Sequence, residues 1–363
     1  MKQGVQEHVP LAPLTTMQVG GAARFFATAE STTDVVEAVS FAQERDIPLF
    51  ILGGGSNVLI ADEGFNGLVL QMRLGGMTFS SEGAQVRVTA GAGIEWDALV
   101  QETLVRGCAE LACLSGIPGT VGGAVVANVG AYGAQCSDTF YSAEVFDRKD
   151  GKTRLYTKDA CRFSYHDSIF GQDPNRYVVL SATFGLAVGT TDLPTYVDNR
   201  FNIAELAARH ADRPPLLAVR EAVLAVREEK GMLHMSGRPS YKSAGSFFHM
   251  PYVSAEDYVR VVQKAREFDW GKEERLRPWA WKQSDGTYKI ATGFLLEYTE
   301  FRKGYVRGSV GISPKHILSV VNLGDASAYD VVALARDMQG AVRNLFAIEC
   351  EREVVYVGSS IEK

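Results

Sequence analysis

The chain has 363 residues, of which 46% are hydrophobic and 22% are charged, and its formal net charge at pH 7 is −6. This length allows two or three domains, and the composition excludes collagen-like, coiled-coil and disordered proteins. The mild acidity argues against a nucleic-acid-binding protein, which needs a basic face. The five cysteines form neither a CxxC pair nor an even set, so neither a disulfide scaffold nor a thiolate zinc site is expected.

Other features of the sequence narrow the setting of the protein. No window approaches the ~18 apolar residues of a membrane span, and the first residues lack the apolar core of a signal sequence. The six histidines are scattered without the spacing of metal ligands. We therefore expect a cytoplasmic protein in a reducing compartment, with no metal, membrane or nucleic-acid partner.

The first sixty residues read as strand, helix and strand. Strands are predicted over 23–29 and 47–52, and a capped amphipathic helix over 31–46. The helix is expected to bury one stripe of side chains: Val35, Val36, Val39 and Ala42.

Three consecutive glycines, residues 53–55, follow the second strand directly. Glycines bring bare N–H groups close to an anion, so a phosphate cradle is one interpretation. The segment lacks the further glycine of a dinucleotide fold and the Lys-Ser/Thr pair of a P-loop. A tight turn between two strands is the alternative.

Short alternating strands and one helix follow, which indicates an α+β class rather than a repeating βα pattern. Strands are predicted over 68–73, 77–81, 84–93, 142–147, 153–157 and 176–188, with a helix over 95–107. Between them, residues 115–135 are rich in glycine and small apolar residues. This segment must allow close backbone approach to another strand or to a flat ligand.

The last third alternates helices and strands. Helices are predicted over 215–231, 254–269, 288–299 and 327–346, and strands over 316–322 and 351–358. Period-two alternation would put Glu349, Glu351 and Glu353 on one face of the final strand.

Ten strings, in one order along nearly the whole chain, resemble the UDP-N-acetylenolpyruvoylglucosamine reductase (MurB) family. They are "TTMQVGGAARFF", "LGGGSNVL", "GAGIEWDAL", "GIPGTVGGAVVANVGAYG", "CRFSYHDSIF", "VREEKG", "AGSFFHMP", "YKIATGFLLE", "GISPKHILSVVN" and "ECEREVVYVG".

The resemblance implies a two-part FAD-binding fold of the vanillyl-alcohol-oxidase/MurB type, plus a third α/β substrate-binding domain. On this basis we expect FAD subdomains over 1–70 and 71–216, with a lid loop near 191–213. The substrate domain would span 217–330, and residues 331–363 would return a helix and strand toward the flavin.

The resemblance also implies the reaction and its cofactors. NADPH would reduce FAD, and FAD would reduce the enolpyruvyl double bond of UDP-N-acetylglucosamine enolpyruvate, giving UDP-N-acetylmuramate for peptidoglycan. A monomer is expected. The residues implied to contact FAD are Gly53, Gly54, Gly55, Ser56, Asn57, Gly119, Thr120, Gly122, Gly123, Asn128 and Ala131.

Ser246 matches the proton donor of the family, and Glu353 matches a carboxylate that lies near the intermediate, where we suggest a second donor role. Ser246 would protonate the enolate-like intermediate formed by hydride addition. Glu353 would lie beside that intermediate, which requires a raised pKa or a bridging cation. On pattern alone, Ser246 could instead cap a turn, and Glu353 could pair on a surface strand.

His166 departs from the family pattern, where an arginine follows the tyrosine that is Tyr165 here. An arginine is a permanent cation, whereas the charge of a histidine depends on pH. Three interpretations remain open: His166 stabilises the enolate, even as imidazolium; Arg162 or Arg238 replaces the missing arginine; or activity is reduced.

Four residues match substrate-binding positions: Tyr165, the lid tyrosine Tyr196, Lys230 and Lys289. The lysines would face the diphosphate as point charges. Met250 stands where relatives often carry asparagine, so one contact with the diphosphate is either missing or supplied by His249.

Two other functions fit parts of the sequence. Another FAD oxidoreductase of the same fold would share the glycine strings but not the serine and late glutamate together. A non-catalytic flavin- or nucleotide-binding regulator would fit the change at His166.

Overall fold

The computed structural model describes most of the chain, and the helices and strands given below lie within these parts. The described residues are 4–189, 202–210, 212–235, 237, 240–268 and 279–358.

The N-terminal region forms a mixed four-stranded sheet. Its elements in chain order are β1 (Gln6–Pro10), a 3-10 turn (Ala12–Leu14), β2 (Ala22–Ala29), α1 (Thr32–Glu44), β3 (Leu49–Leu52), β4 (Val58–Ile60) and β5 (Phe65–Met72). The sheet order is β1-β2-β5-β3, with β1 antiparallel to β2 and the other pairs parallel. Because β4 stands outside this sheet, the glycine loop between β3 and β4 leaves the sheet at its edge.

Helix α1 is fixed at its start by a reciprocal cap. The Ser31 hydroxyl accepts from the N–H of Asp34, and the Asp34 carboxylate accepts from the N–H of Ser31 at 2.9 Å. The predicted buried stripe is confirmed except at one residue. Val36 is 40% exposed, and Ala38 takes its place in the core. The reason is spacing: residue 38 is three after Val35, whereas 36 is one after it.

A five-stranded antiparallel sheet in the order β11-β10-β12-β7-β6 forms the second layer of the N-terminal half. Its strands are β6 (Met77–Glu82), β7 (Gln85–Gly91), β10 (Phe140–Asp147), β11 (Lys152–Thr157) and β12 (Tyr177–Ala187), and a small hairpin is formed by β8 (Gly130–Ala131) and β9 (Ala134–Gln135). The helices of this part are α2 (Trp96–Val105), a 3-10 turn (Ala112–Leu114), α3 (Val121–Val126), α4 (Cys136–Thr139), α5 (Lys158–Cys161), α6 (Ile169–Gln172), α7 (Ile203–Ala208) and α8 (Pro215–Glu229).

The C-terminal part contains two further antiparallel sheets, ordered β13-β19-β18-β17 and β14-β16-β15. Its elements are β13 (Lys242–Ser243), β14 (Tyr252–Val253), α9 (Ala255–Phe268), β15 (Ala280–Lys282), β16 (Tyr288–Ile290), α10 (Thr292–Leu296), β17 (Val306–Arg307), β18 (Val310–Ile312), β19 (Val320–Asn322), α11 (Ala328–Phe346) and β20 (Val355–Val357). The last strand, β20, pairs in parallel with β4.

Two sequence predictions in this region are wrong. Residues 288–299 do not form one helix, because β16 lies between β14 and β15 and the helix α10 begins only at Thr292. Glu349, Glu351 and Glu353 do not share a strand face, because β20 begins at Val355. Glu349 instead pairs with Arg343 at the end of α11.

The buried apolar side chains form a large core in each half and a smaller cluster that includes Leu52 and Val357. The larger core includes the inner face of α8, which packs against α2, α7 and the 3-10 turn Ala112–Leu114 in the same core as the five-stranded sheet. Val219, Ala222 and Val223 are among the buried residues of this face. The expected start of the substrate domain at residue 217 therefore falls inside a helix that packs on the N-terminal half. The second core is built on α11 and also takes Met17 and Val19 from the N-terminal segment. Within the described residues, no helix is both long and apolar enough to cross a membrane.

Candidate functional site

The loop from Gly53 to Asn57 connects β3 to β4 and offers free backbone donors. Gly55 has φ +66°, and a Cβ built on it would lie 2.1 Å from the carbonyl oxygen of Leu14. The N–H groups of Gly54, Gly55 and Ser56 donate no hydrogen bond to any residue that the structure describes. Unengaged N–H groups in a tight turn form a cradle for an anion.

The two glycine segments lie against each other. A Cβ on Gly54 would lie 2.6 Å from the Cα of Gly119, and a Cβ on Gly53 would lie 2.9 Å from Oγ1 of Thr120. The Ser56 hydroxyl donates to the carbonyl of Pro118 at 3.1 Å. The close backbone approach that these glycines allow is thus partly a contact between the two loops themselves.

The second glycine segment leads into the short helix α3. Thr120 is the N-cap of α3 and accepts from the N–H of Gly123 at 3.4 Å. Gly122 packs so closely that its Cβ would lie 2.9 Å from that of Ala92. The N–H of Gly119 donates to no described residue, so it can join the first loop in binding an anion.

Helix α8 anchors this segment through charged side chains. Asp97 accepts from the N–H of Gly116 at 2.6 Å and from both terminal nitrogens of Arg220, at 2.7 and 2.6 Å. Burial tends to raise the pKa of Asp97, but the hydrogen bonds from Arg220 and Gly116 outweigh it and lower that pKa. Arg227 donates to the carbonyl of Gly116 at 3.0 Å. Sequence reasoning missed this anchor, although arginines on the apolar face of a helix were a signal for it.

Three of the residues expected to contact the cofactor have side chains that are engaged elsewhere or are not polar. The side-chain amide of Asn57 donates to the carbonyl of Glu353 at 3.2 Å. Asn128 is buried and bonded at both ends of its amide, to the carbonyl of Ser164 at 2.8 Å and from the N–H of Ser137 at 2.9 Å. Ala131, half-buried in β8, has no polar side chain. The amides of Asn57 and Asn128 are thus engaged within the protein, in part and at both ends respectively, and Ala131 offers only main chain and a methyl group.

A tight hairpin presents Tyr165 and His166. The N–H of Ser164 donates to the carbonyl of Asp167 at 3.0 Å, and the reverse bond measures 3.3 Å. His166 takes φ +52°, a conformation that costs energy for a non-glycine residue. The bond from Asn128 to Ser164 ties this hairpin to the end of α3.

A second backbone contact joins the segment that follows Ser246 to the segment that contains Glu353. The N–H of Glu353 donates to the carbonyl of Phe247 at 2.9 Å, and the N–H of His249 donates to the carbonyl of Glu351 at 2.9 Å. Residues 247–249 thus run antiparallel to 351–353, and Ser246 immediately precedes this contact. Ser246 is half-buried.

The carboxyl group of Glu353 faces two imidazoles. Its Oε1 lies 3.5 Å from Nδ1 of His166, and its Oε2 lies 3.8 Å from Nδ1 of His249. The ammonium of Lys289 lies 3.1 Å from the centroid of the Tyr165 ring. The structure therefore gathers Tyr165, His166 and Lys289 around Glu353. His249 also lies there, although the sequence suggested it only as a contact for the diphosphate.

Burial shifts the pKa values of this group strongly. It raises the pKa of Glu353 to about 7, against the opposing effect of Lys289. It lowers the pKa of Lys289 to about 8. It also lowers the pKa of His166 to about 4, with His249 and Lys289 acting in the same direction. Clustered groups with perturbed pKa values are typical of a catalytic site.

The structure bears on two of the three interpretations of His166. With a pKa of about 4, the ring is neutral near pH 7, which disfavours the imidazolium. Arg162 is exposed and forms no ion pair with Glu353, and Arg238 lies outside the described residues.

The remaining predicted residues are placed as follows. Lys230 ends α8, with its ammonium 5.0 Å from the ring centroid of Tyr132 rather than beside Tyr165. Tyr196, and most of the expected lid loop, lie outside the described residues. The described residues contain no group of three or more side chains that could hold a metal ion.

Comparisons with known proteins cover both halves. Residues 23–155 match the family model described as FAD binding domain, and residues 238–357 match UDP-N-acetylenolpyruvoylglucosamine reductase, C-terminal domain. The UDP-N-acetylenolpyruvoylglucosamine reductase of Thermobifida fusca is 38% identical, over 99% of this chain and 100% of that protein. The Pseudomonas aeruginosa protein of the same name is 36% identical over 97% and 99%. The crystal structure of the Thermus caldophilus enzyme (MurB) is 25% identical over 98% and 100%, with a TM-score of 0.66.

Proposed function

The chain belongs to the UDP-N-acetylenolpyruvoylglucosamine reductase family, and from that premise we propose which of its residues carry out the reaction. It has the predicted α+β, two-part FAD-binding fold with a further C-terminal domain. It is a flavin-dependent oxidoreductase that uses FAD and NADPH in a reduction step of peptidoglycan synthesis. The substrate is UDP-N-acetylglucosamine enolpyruvate, and FAD when bound supplies the hydride exchange between NADPH and the enolpyruvyl double bond.

The glycine loops would hold the FAD pyrophosphate. The unengaged N–H groups of Gly54, Gly55, Ser56 and Gly119 support this assignment, because each is an unshared donor in a cradle that a Cβ would fill. Thr120, Gly122 and Gly123 would keep α3 close behind it. Arg220 would act indirectly, by fixing the second loop through Asp97.

Ser246 and Glu353 would manage the proton. Reduction at the methylene carbon leaves negative charge on the adjacent carbon and its carboxylate, and that carbon then takes a proton. Ser246 would donate its hydroxyl proton, since it sits at the start of the backbone contact with Glu353. With a pKa of about 7, the glutamate is half protonated near neutral pH and provides a second acid.

The remaining groups would bind and enclose the substrate. The Lys289 ammonium supplies the positive charge that the missing arginine would have given, and Tyr165 holds it in place. We assign Lys230 to the diphosphate and Tyr196 to closure over the site. We place the enzyme in the cytoplasm as a monomer, and its five buried free cysteines suit that reducing compartment.

The approach of His166 to Glu353, with Ser246 next in sequence to the residue that binds the N–H of Glu353, carries this proposal. The two half-reactions test it separately. In a Ser246→Ala variant, NADPH should bleach the flavin at the wild-type rate. Reoxidation by the enolpyruvyl nucleotide should slow by about 10²–10⁴-fold, because a positioned general acid contributes about that much. Ser254→Ala, at the exposed start of α9, is the control.

Reoxidation of the Ser246→Ala variant at the wild-type rate would contradict the proton-donor role. A yellow wild-type protein that NADPH does not bleach would indicate the non-catalytic flavin binder instead.

A further inference from the structure

His249 has a fixed main chain and an unengaged ring nitrogen. Its N–H donates to the carbonyl of Glu351 at 2.9 Å, and its own carbonyl accepts from the Thr292 hydroxyl at 2.5 Å. Its Nδ1 is buried and makes no hydrogen bond within the described part of the chain. A buried polar nitrogen without a partner costs about 1–3 kcal/mol. The polar group that faces it is the Glu353 carboxyl group, at 3.8 Å.

The same carboxyl group has His166 on its other oxygen, at 3.5 Å. Both N···O distances exceed the usual hydrogen-bond length by well under 1 Å. A small rotation of the Glu353 side chain therefore brings either nitrogen into hydrogen-bonding range. The two rings lie 6.0 Å apart between centroids, and the Tyr165 ring contacts both. The carboxyl group is therefore bracketed by two imidazoles.

We propose that His249 is a positioning residue for Glu353: together with His166, it forms an uncharged bracket that can hydrogen-bond the carboxyl group in both its protonation states. A neutral imidazole nitrogen accepts from a protonated carboxyl group, and in the other tautomer it donates to a carboxylate. A lysine or arginine can only donate, and its charge favours the carboxylate. This inference rests on the proposed function, in which Glu353 is an acid.

The charges around the bracket agree with this role. Lys289, from β16, faces both imidazoles and Glu353, and burial together with that ammonium keeps the pKa of His166 at about 4. Burial also lowers the pKa of His249, although Glu351 and Asp167 act to raise it. Tyr165 has a pKa raised by burial and by Glu353, so it stays neutral. Both rings are thus uncharged where Glu353 titrates.

The test compares three substitutions at position 249 by two measurements. The first measurement is the pH profile of flavin reoxidation by the enolpyruvyl nucleotide. The second is the carboxylic-acid C=O band of Glu353 in infrared difference spectra, assigned by its loss in Glu353→Gln. The band reports protonation without turnover.

We expect the three variants to separate by charge and bonding. His249→Lys should move the fall in rate, and the loss of the band, to lower pH by about one unit or more. His249→Phe removes the ring nitrogens, and because a buried carboxylate depends on hydrogen-bond donors more than the protonated acid does, both should move to higher pH. His249→Asn, which offers one donor and one acceptor, should keep both near the wild-type pH. The control is His8→Lys in β1, an exposed site, which should match the wild type.

Coincident band titrations for the wild type and for the lysine and phenylalanine variants would overturn the positioning role. If His249→Lys does not fold, the phenylalanine and asparagine variants decide by the same criterion. A band that shifts as expected in a protein whose flavin the nucleotide cannot reoxidise would support the bracket and overturn the proposed function.

Discussion

The glycine cradle and the Glu353 bracket differ in what holds them. In the cradle, backbone meets backbone so closely that a Cβ on Gly54 would lie 2.6 Å from Gly119, and charged side chains fix the loop from behind. In the bracket, titratable groups stand 3.5–3.8 Å apart, joined by no hydrogen bond between side chains. Substitutions in the cradle should therefore cost stability and cofactor binding, whereas substitutions in the bracket should change protonation.

The largest effect is expected behind the cradle, from Arg220→Met. This variant leaves the Asp97 carboxylate without its bidentate partner, whose side chain is only 7% exposed. Breaking a buried ion pair costs about 3–5 kcal/mol. Urea unfolding measures the loss. Arg213→Met is the matched control, because the exposed Arg213–Glu221 pair should contribute under about 1 kcal/mol. An equal loss of unfolding free energy in the two variants would contradict the anchoring role of α8.

In the bracket, Glu353→Gln should stabilise the protein at high pH. Burial raises the pKa of Glu353 from its ordinary 4.5 to about 7, so the folded protein binds this proton more tightly than the unfolded chain does. The wild type is therefore penalised as pH rises from about 4.5 to 7, by up to about 3 kcal/mol, and equally at all higher pH. The variant should be more stable by about that amount at pH 8 and equal at pH 4, as measured by urea unfolding. A constant difference across pH would contradict the shifted pKa.

Gly54→Ala should destabilise the cradle by about 1–3 kcal/mol, the usual cost of overpacking. It should also weaken retention of FAD, because the two loops must separate to admit the methyl group. Flavin absorbance after gel filtration measures retention. Gly75→Ala is the control, since its Cβ would meet no atom within 4 Å. Full retention in the Gly54 variant would show that the loops yield without cost.

The smallest effect is expected from His166→Arg. A permanent cation beside Glu353 should lower the pKa of that carboxyl group, by about one unit at this partly exposed site, or about 1.4 kcal/mol. The pH profile of reoxidation should move down accordingly, and His166→Ala should not move it down. A profile unchanged by arginine would mean that residue 166 does not face Glu353 in solution.

Local sequence patterns predicted most helices and strands. They did not predict the elements that depend on pairing between distant parts of the chain. The cap at Ser31 and the apolar spacing after it defined α1, because helices are built from near neighbours. Residues 288–290 gave no such signal, since they become a strand only through pairing with β14 and β15. The site residues around Glu353 came from family resemblance. Their arrangement could not be read from the sequence, because it depends on the pairing of 247–249 with 351–353.

The bond from the Asn57 amide to the carbonyl of Glu353 spans 296 positions of the chain. The strands that follow these two residues, β4 and β20, also pair with each other. During synthesis, the residues of the cradle emerge from the ribosome long before Glu353 and β20. The residues proposed to bind flavin are therefore made well before the residue proposed as an acid, and residues 353–357 complete the site.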